Sequence, residues 1–108
     1  MEQAAIYELL AQKLGDGVIA GRITDVAQAA LPGVRIRVSS GGESREAITD
    51  VGGRFLVRSL SLTTHRVTTE LLGFTPRSGD ISLSPGHRRA YLSWRLDVCR
   101  GEEILVIL

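Results

Sequence analysis

The sequence predicts an all-β protein, a seven- to eight-stranded antiparallel β-sandwich preceded by an amphipathic helix. Three observations carry that expectation. Apolar and polar residues alternate with period two over most of the chain after Val18. Turn residues punctuate the alternation at intervals of roughly eight to twelve positions. One segment, Val18 to Val57, reads strand, turn, strand, polar hairpin, strand.

With 108 residues, 44% hydrophobic and 23% charged, the chain has the size and composition of one globular domain. A formal net charge of +1 argues against a partner selected by bulk charge, so neither a nucleic acid nor an anionic membrane surface is expected. The basic residues are twelve arginines and one lysine, Lys13. Cys99 is alone, so no disulfide can form within the chain, which is compatible with the cytosol and with an extracytoplasmic setting. The longest apolar run is the last five residues, far short of the ~20 that cross a bilayer as a helix. Residues 1–14 hold Glu2 and Glu8 and no basic n-region, so they do not read as a signal peptide.

Three parts follow in order: a helix and linker over 1–17, a sandwich over 18–98, and a turn with an apolar strand over 99–108. In the first, Ile6, Leu9, Leu10 and Leu14 fall at i, i+3, i+4 and i+8 and form one apolar stripe, which Gly15 ends. So short a helix is marginal alone and needs a surface to bury against, either its own sheet or another chain.

The first strand places Ile19, Gly21 and Ile23 on one face and Val18, Ala20 and Arg22 on the other. Pro32-Gly33 launches a second strand with Val34, Ile36 and Val38 inward and Arg35, Arg37 and Ser39 outward. Gly41-Gly42 is a hairpin tip, and Ser44 to Thr49 is a polar edge strand. Arg54 to Arg58 points Phe55 and Val57 to the core, and Leu60 to Thr64 is a connection. Val67, Thr69 and Leu71 share a face of the fifth strand, and Ile81 and Leu83 mark a short sixth. His87 to Val98 is expected to be the longest strand, with Leu92, Trp94 and Leu96 inward and Tyr91 outward. The apolar tail carries Ile104, Val106 and Leu108 on one face, with apolar residues on the other too. It is expected to be a paired strand, because an exposed apolar edge invites aggregation.

Most chemistries are missing their residues. A zinc peptidase needs two or three clustered ligands, and only His65 and His87 exist, both read as surface residues at strand ends. Asp25, Asp50 and Asp80 are scattered and read as turn caps rather than a calcium site. The absence of asparagine excludes a Lys–Asn isopeptide cross-link and N-glycosylation. Cys99 lies after the last long strand and reads as a packing or loop thiol. No catalytic residue, metal or cofactor is expected.

Three motifs, in this order and spacing, carry a resemblance: Gly21-Arg22-Ile23-Thr24-Asp25, Leu31-Pro32-Gly33-Val34, and Thr49-Asp50 followed by Gly53-Arg54-Phe55. With Leu72-Gly73-Phe74 they make residues 18–98 similar to the carboxypeptidase regulatory-like domain, one of the transthyretin-like (prealbumin-like) β-sandwiches. The chain departs from that pattern at Val26-Ala27-Gln28-Ala29 and at Leu62-Thr63-Thr64-His65. The resemblance implies a non-catalytic accessory module, usually extracytoplasmic or membrane-associated. It also sets aside the 5-hydroxyisourate hydrolases of similar fold, whose C-terminal Tyr-Arg-Gly-Ser is replaced here by Val106-Ile107-Leu108.

Two functions are weighed. The first is protein interaction or self-association, through Ile6, Leu9, Leu10 and Leu14 of the helix and Ile104, Val106 and Leu108 of the tail. The second is carbohydrate binding of the starch-binding type, with Arg35, Arg37, Tyr91 and Arg95 as the ligand face. That face requires the arginine-bearing strands, including Arg54, Arg58, Arg88 and Arg89, to share one sheet.

Overall fold

The computed structural model describes residues 16–99. The expected helix, with Ile6, Leu9, Leu10 and Leu14, and the expected tail strand, with Ile104, Val106 and Leu108, lie outside the described residues. Within them the protein is all-β: β1 (Gly17–Thr24), β2 (Arg35–Ser40), β3 (Glu43–Ile48), β4 (Arg54–Leu60), β5 (Thr64–Glu70), β6 (Ser78–Ser82) and β7 (Arg89–Arg95). They form two sheets, β4-β1-β7 and β3-β2-β5-β6. β1 is the longest strand at 8 residues, and β7 has 7, which reverses the expected order.

The alternation places the core as the sequence predicts. Ile19, Ile23, Val34, Ile36, Val38, Phe55, Val57, Val67, Leu92 and Leu96 are buried between the sheets, and Trp94 packs half-buried at their margin. Burial of each large aliphatic chain contributes about 1.5–3 kcal/mol. Leu60 also points inward although it breaks the parity of β4. The reason is a bulge: Gly17 pairs with Leu60 and Ile19 with Val57, so Arg58 and Ser59 together face Val18. Ser59 takes a left-handed φ of 60° there, and the extra residue restores the inward register.

One expectation of the sequence needs correction: the sandwich is not wholly antiparallel. β7 runs parallel to β1, with Val18 opposite Arg89 and Thr24 opposite Arg95. The cause is the route of the chain. β6 ends with Ser82 beside Thr64, the next residue Leu83 is buried, and the Val18 N–H donates to the Arg88 carbonyl at 2.8 Å. The chain thus crosses between layers at the start of β1, and a strand entering there runs with β1.

Two loops at the other end repeat one design. Asp25 Oδ1 accepts from the N–H groups of Ala27 and Ala29, and Asp50 Oδ1 accepts from those of Gly52 and Arg54, all at 2.8–2.9 Å. The fourth residue of each loop is left-handed, Gln28 at φ 68° and Gly53 at φ 73°. Gln28 therefore does the work of a glycine in the stretch where the chain departs from its resembled pattern. Asp25 and Asp50 are turn caps as expected, whereas Asp80 lies within β6 and faces Arg66 at 3.5 Å.

Thr49 explains the pairing of the Leu31-Pro32-Gly33 and Thr49-Asp50 motifs. Its buried hydroxyl donates to the Leu31 carbonyl at 2.6 Å and accepts from the Val34 N–H at 2.8 Å. Thr49→Val keeps the shape and strands both groups. It is expected to cost about 2 kcal/mol, readable as a lower urea midpoint at unchanged slope.

The Leu72-Gly73-Phe74 motif stitches the layers together past β7. Phe74 bridges Val98, the Thr75 N–H donates to the Asp97 carbonyl at 2.7 Å, and the Cys99 N–H donates to the Gly73 carbonyl at 2.9 Å. Arg77 lies over the Trp94 ring, 4.9 Å from its centroid, and donates to the Arg95 carbonyl. This segment covers only the C-terminal end of β7 near Arg95; among the described residues the rest of that strand's outer edge has no strand partner.

His65 also departs from the expectation. It is 0% exposed rather than a surface residue, because it shares the inward parity of Val67 and Thr69 on β5. Its Nε2 donates to the Ser61 carbonyl at 2.7 Å, and its Nδ1 lies 3.9 Å from Glu43 Oε1. Ser61 Oγ bonds to that carboxylate at 3.0 Å and not to the imidazole, so the three groups do not form a nucleophile–base pair. His87 is exposed, as expected.

Candidate binding face

The two sheets present outer faces of opposite character, built by the same alternation that fills the core. On the four-stranded sheet, register brings Glu46 opposite Arg37, Glu70 opposite Arg35, and Asp80 opposite Arg66. The charges are matched. Arg37 meets Glu46 at 2.8 Å, Arg35 lies 3.9 Å from Glu46 and 3.5 Å from Glu70, and Arg66 lies 3.5 Å from Asp80. Each exposed pair is weak, about 0–1 kcal/mol, but together they leave this face neutral and polar. A shallow dish of ≈ 200 Å³ lies here, lined by Arg35, Arg37, Thr68, Thr69, Glu70 and Pro76.

The three-stranded sheet differs. Its outward register carries Arg54, Leu56 and Arg58 on β4, Val18, Ala20, Arg22 and Thr24 on β1, and Arg89, Tyr91, Ser93 and Arg95 on β7. The three strands contribute five arginines to this face and no carboxylate. Among the described residues none of the five makes an ion pair; Arg22 donates through Nε to the Gly52 carbonyl at 3.2 Å. Arg22 and Arg54 are direct cross-strand partners, an arrangement of like charges that opposes folding. In the next row Leu56, Ala20 and Tyr91 stand side by side. Leu56 is 46% and Tyr91 66% exposed, and the small Ala20 stands between them on β1.

The sequence-predicted ligand residues are thereby separated. Arg35 and Arg37 lie on the four-stranded sheet, Tyr91 and Arg95 on the other, because β2 and β7 belong to different layers. Sequence reasoning missed Leu56 and Arg22 as members of this face. Both had the signal, since Leu56 shares the parity of Arg54 and Arg58, and Arg22 that of Val18 and Ala20. The missing information was which strands lie side by side.

Among the described residues no group of three or more His, Cys, Asp and Glu side chains converges as a metal site would require. No helix of the described residues is long and apolar enough to cross a membrane.

Two packed sheets with one neutral face and one cationic face define the protein as a β-sandwich. The family model of the carboxypeptidase regulatory-like domain matches residues 18–96, and the chain belongs to that family. No curated protein matches the chain. Solved structures share its fold at low identity. The pilus 2b backbone protein of group B streptococcus is 15% identical, with a TM-score of 0.65, over 82% of this chain and 43% of its own. Chlorocatechol 1,2-dioxygenase from Pseudomonas putida is 14% identical, with a TM-score of 0.62, over 74% of this chain and 59% of its own. A candidate carbohydrate binding protein from Pseudomonas aeruginosa is 17% identical, with a TM-score of 0.55, over 82% of this chain and 95% of its own. The chain spans less than two thirds of the length of the first two. A pilus component, an enzyme and a candidate carbohydrate binder thus share one sandwich, so function has to be read from this chain's own surface.

Proposed function

We propose that this domain is a non-catalytic accessory module that docks a partner protein on the outer face of β4-β1-β7. The observation that carries the reading is the contrast between the faces. A face selected only for solubility is matched in charge, as on the four-stranded sheet. The other keeps like charges adjacent and leaves Leu56 and Tyr91 open, against the interest of the fold. Exposed aromatic and arginine side chains around an apolar centre are the residue types that anchor protein interfaces.

Site-specific photo-crosslinking in the source cells tests the reading. A benzophenone amino acid at position 56 or 91 is expected to trap one discrete adduct, and the same probe at position 66, on the opposite face, to trap none. Equal yields at all three positions, or no adduct at any, would reject the face.

Carbohydrate binding remains the second reading, and one observation favours it: the open Tyr91 ring, flanked on its own strand by Arg89. Calorimetric titration with neutral oligosaccharides separates the two. Binding that Tyr91→Ala abolishes and Arg89→Gln leaves intact would favour the sugar over the protein partner.

A further inference from the structure

We infer that the partner of this face is an acidic, amphipathic protein segment that lies over β1, between β4 and β7. The inference rests on the docking reading above and adds the chemistry of what docks. Outward residues form two cationic flanks on either side of β1: Arg54 and Arg58 on β4, and Arg89 and Arg95 on β7. Arg22 lies between them, and Val18, Ala20, Leu56 and Tyr91 supply the apolar surface. Carboxylates stand at the ends of the sheet: Asp97 two residues past β7, Asp16 just before β1 and paired with Arg88, and Asp25 and Asp50, each accepting two N–H groups of its own loop.

Dimensions and charge select among occupants. Neighbouring strands lie about 4.8 Å apart, so the flanks are about 10 Å apart, the width of one helix. A segment with an apolar stripe and carboxylates on both sides would place the stripe on Ala20 and Leu56 and meet guanidinium groups on each flank. Arginine suits this role because its fork pairs bidentately with a carboxylate. Apolar surface continues around the β4 edge, where Ala47, Ile48 and Leu56 help line a groove of ≈ 400 Å³.

The alternatives fit less well. A second copy docking through the same face would set five arginines against five. Residues 1–15 of this chain hold Glu2, Glu8 and Lys13, so they would neutralise little of the face. A nucleic acid or anionic membrane would meet the arginines, but its binding is dominated by charge, and a chain of net charge +1 offers little long-range attraction.

The test uses the full chain, 15N-labelled, titrated with a synthetic helical peptide bearing leucines on one face and glutamates on both flanks. Amide shifts are expected to concentrate on β1, β4 and β7, and the Kd to rise with added salt. The peptide with lysine for glutamate is expected not to bind. Arg58→Glu combined with Arg89→Glu is expected to weaken binding at least tenfold, and Arg66→Glu to leave it unchanged. The milder Arg58→Gln with Arg89→Gln serves if the double reversal perturbs the fold. Shifts on β2 and β5, or no binding, overturn the inference. So do equal binding of the lysine peptide, preference for phosphatidylserine vesicles or a DNA duplex, dimerisation in sedimentation, and contacts from residues 1–15 to Tyr91. If position 91 still traps a protein in cells while the acidic peptide fails, the docking reading stands and the partner's acidity is refuted.

Discussion

Gly21→Val is expected to destabilise the domain by about 4 kcal/mol, a loss at the extreme of single substitutions. Gly21 sits in the middle of β1, with Phe55 of β4 opposite on one side and Leu92 of β7 on the other. A Cβ at Gly21 would lie 2.4 Å from the Leu92 carbonyl oxygen and 2.7 Å and 2.9 Å from two atoms of the Phe55 ring. β1 is hydrogen-bonded on both edges and cannot retreat, and the ring is held in the core at 6% exposure. The glycine is therefore a docking socket for Phe55, which links the first motif of the chain to the third. Calorimetry should show Tm falling by about 15 °C or more, or no cooperative transition. Gly86→Val is the control, because a Cβ there meets nothing within 4 Å. Equal melting of the two variants would mean that the socket has no energetic role.

The second large effect concerns Gly53→Ala, expected to cost about 3 kcal/mol through strain and contact together. Gly53 has φ +73°, and a Cβ on it would fall 2.5 Å from the Ile23 carbonyl oxygen and 3.1 Å from the Leu31 amide nitrogen. Those are backbone atoms of β1 and of the turn before β2, so relief would have to open the sheet. Gln28 occupies the equivalent place in the matching loop with its side chain exposed. Gln28→Gly is accordingly expected to stabilise the domain by about 1 kcal/mol, by removing left-handed strain from a residue with a Cβ. Opposite signs in urea denaturation are the expected result. A destabilising Gln28→Gly would show that the unfolded chain's gain in freedom outweighs the strain.

The common origin of these effects is that the family motifs act in pairs across the fold. Gly21 receives Phe55, Thr49 ties down Leu31 and Val34, and Asp50 shapes the loop in which Gly53 reaches Ile23. None of these residues stands on the cationic face, apart from the shared strands that carry it. The inward residues of these motifs build the scaffold, while Arg22 and Arg54, within the same motifs, join the outward positions between them on the cationic face.

How much was legible follows from what each signal reports. Alternation is a local property, so the inward positions of β1, β2, β4 and β7 were readable, and so were the turns at Asp25 and Asp50. His65 was legible by the same rule, since it is two residues from Val67; its residue type points to the surface and its parity to the core. The bulge at Ser59 was not readable, because it depends on β1 being the partner strand. The parallel course of β7 was not readable either, since it follows from where the chain changes layers.

The binding face shows the same division. By itself the sequence determined an all-β sandwich, its core, its turns and an excess of outward arginines. Only the tertiary structure decided that Arg35 and Arg37 are neutralised by Glu46 and Glu70, while Arg22, Arg54, Arg58, Arg89 and Arg95 share the face of Leu56 and Tyr91 with no ion pair among the described residues. The physical reason is that period-two patterning tells each side chain which way to point, whereas the neighbours it meets there come from strands far away in the sequence.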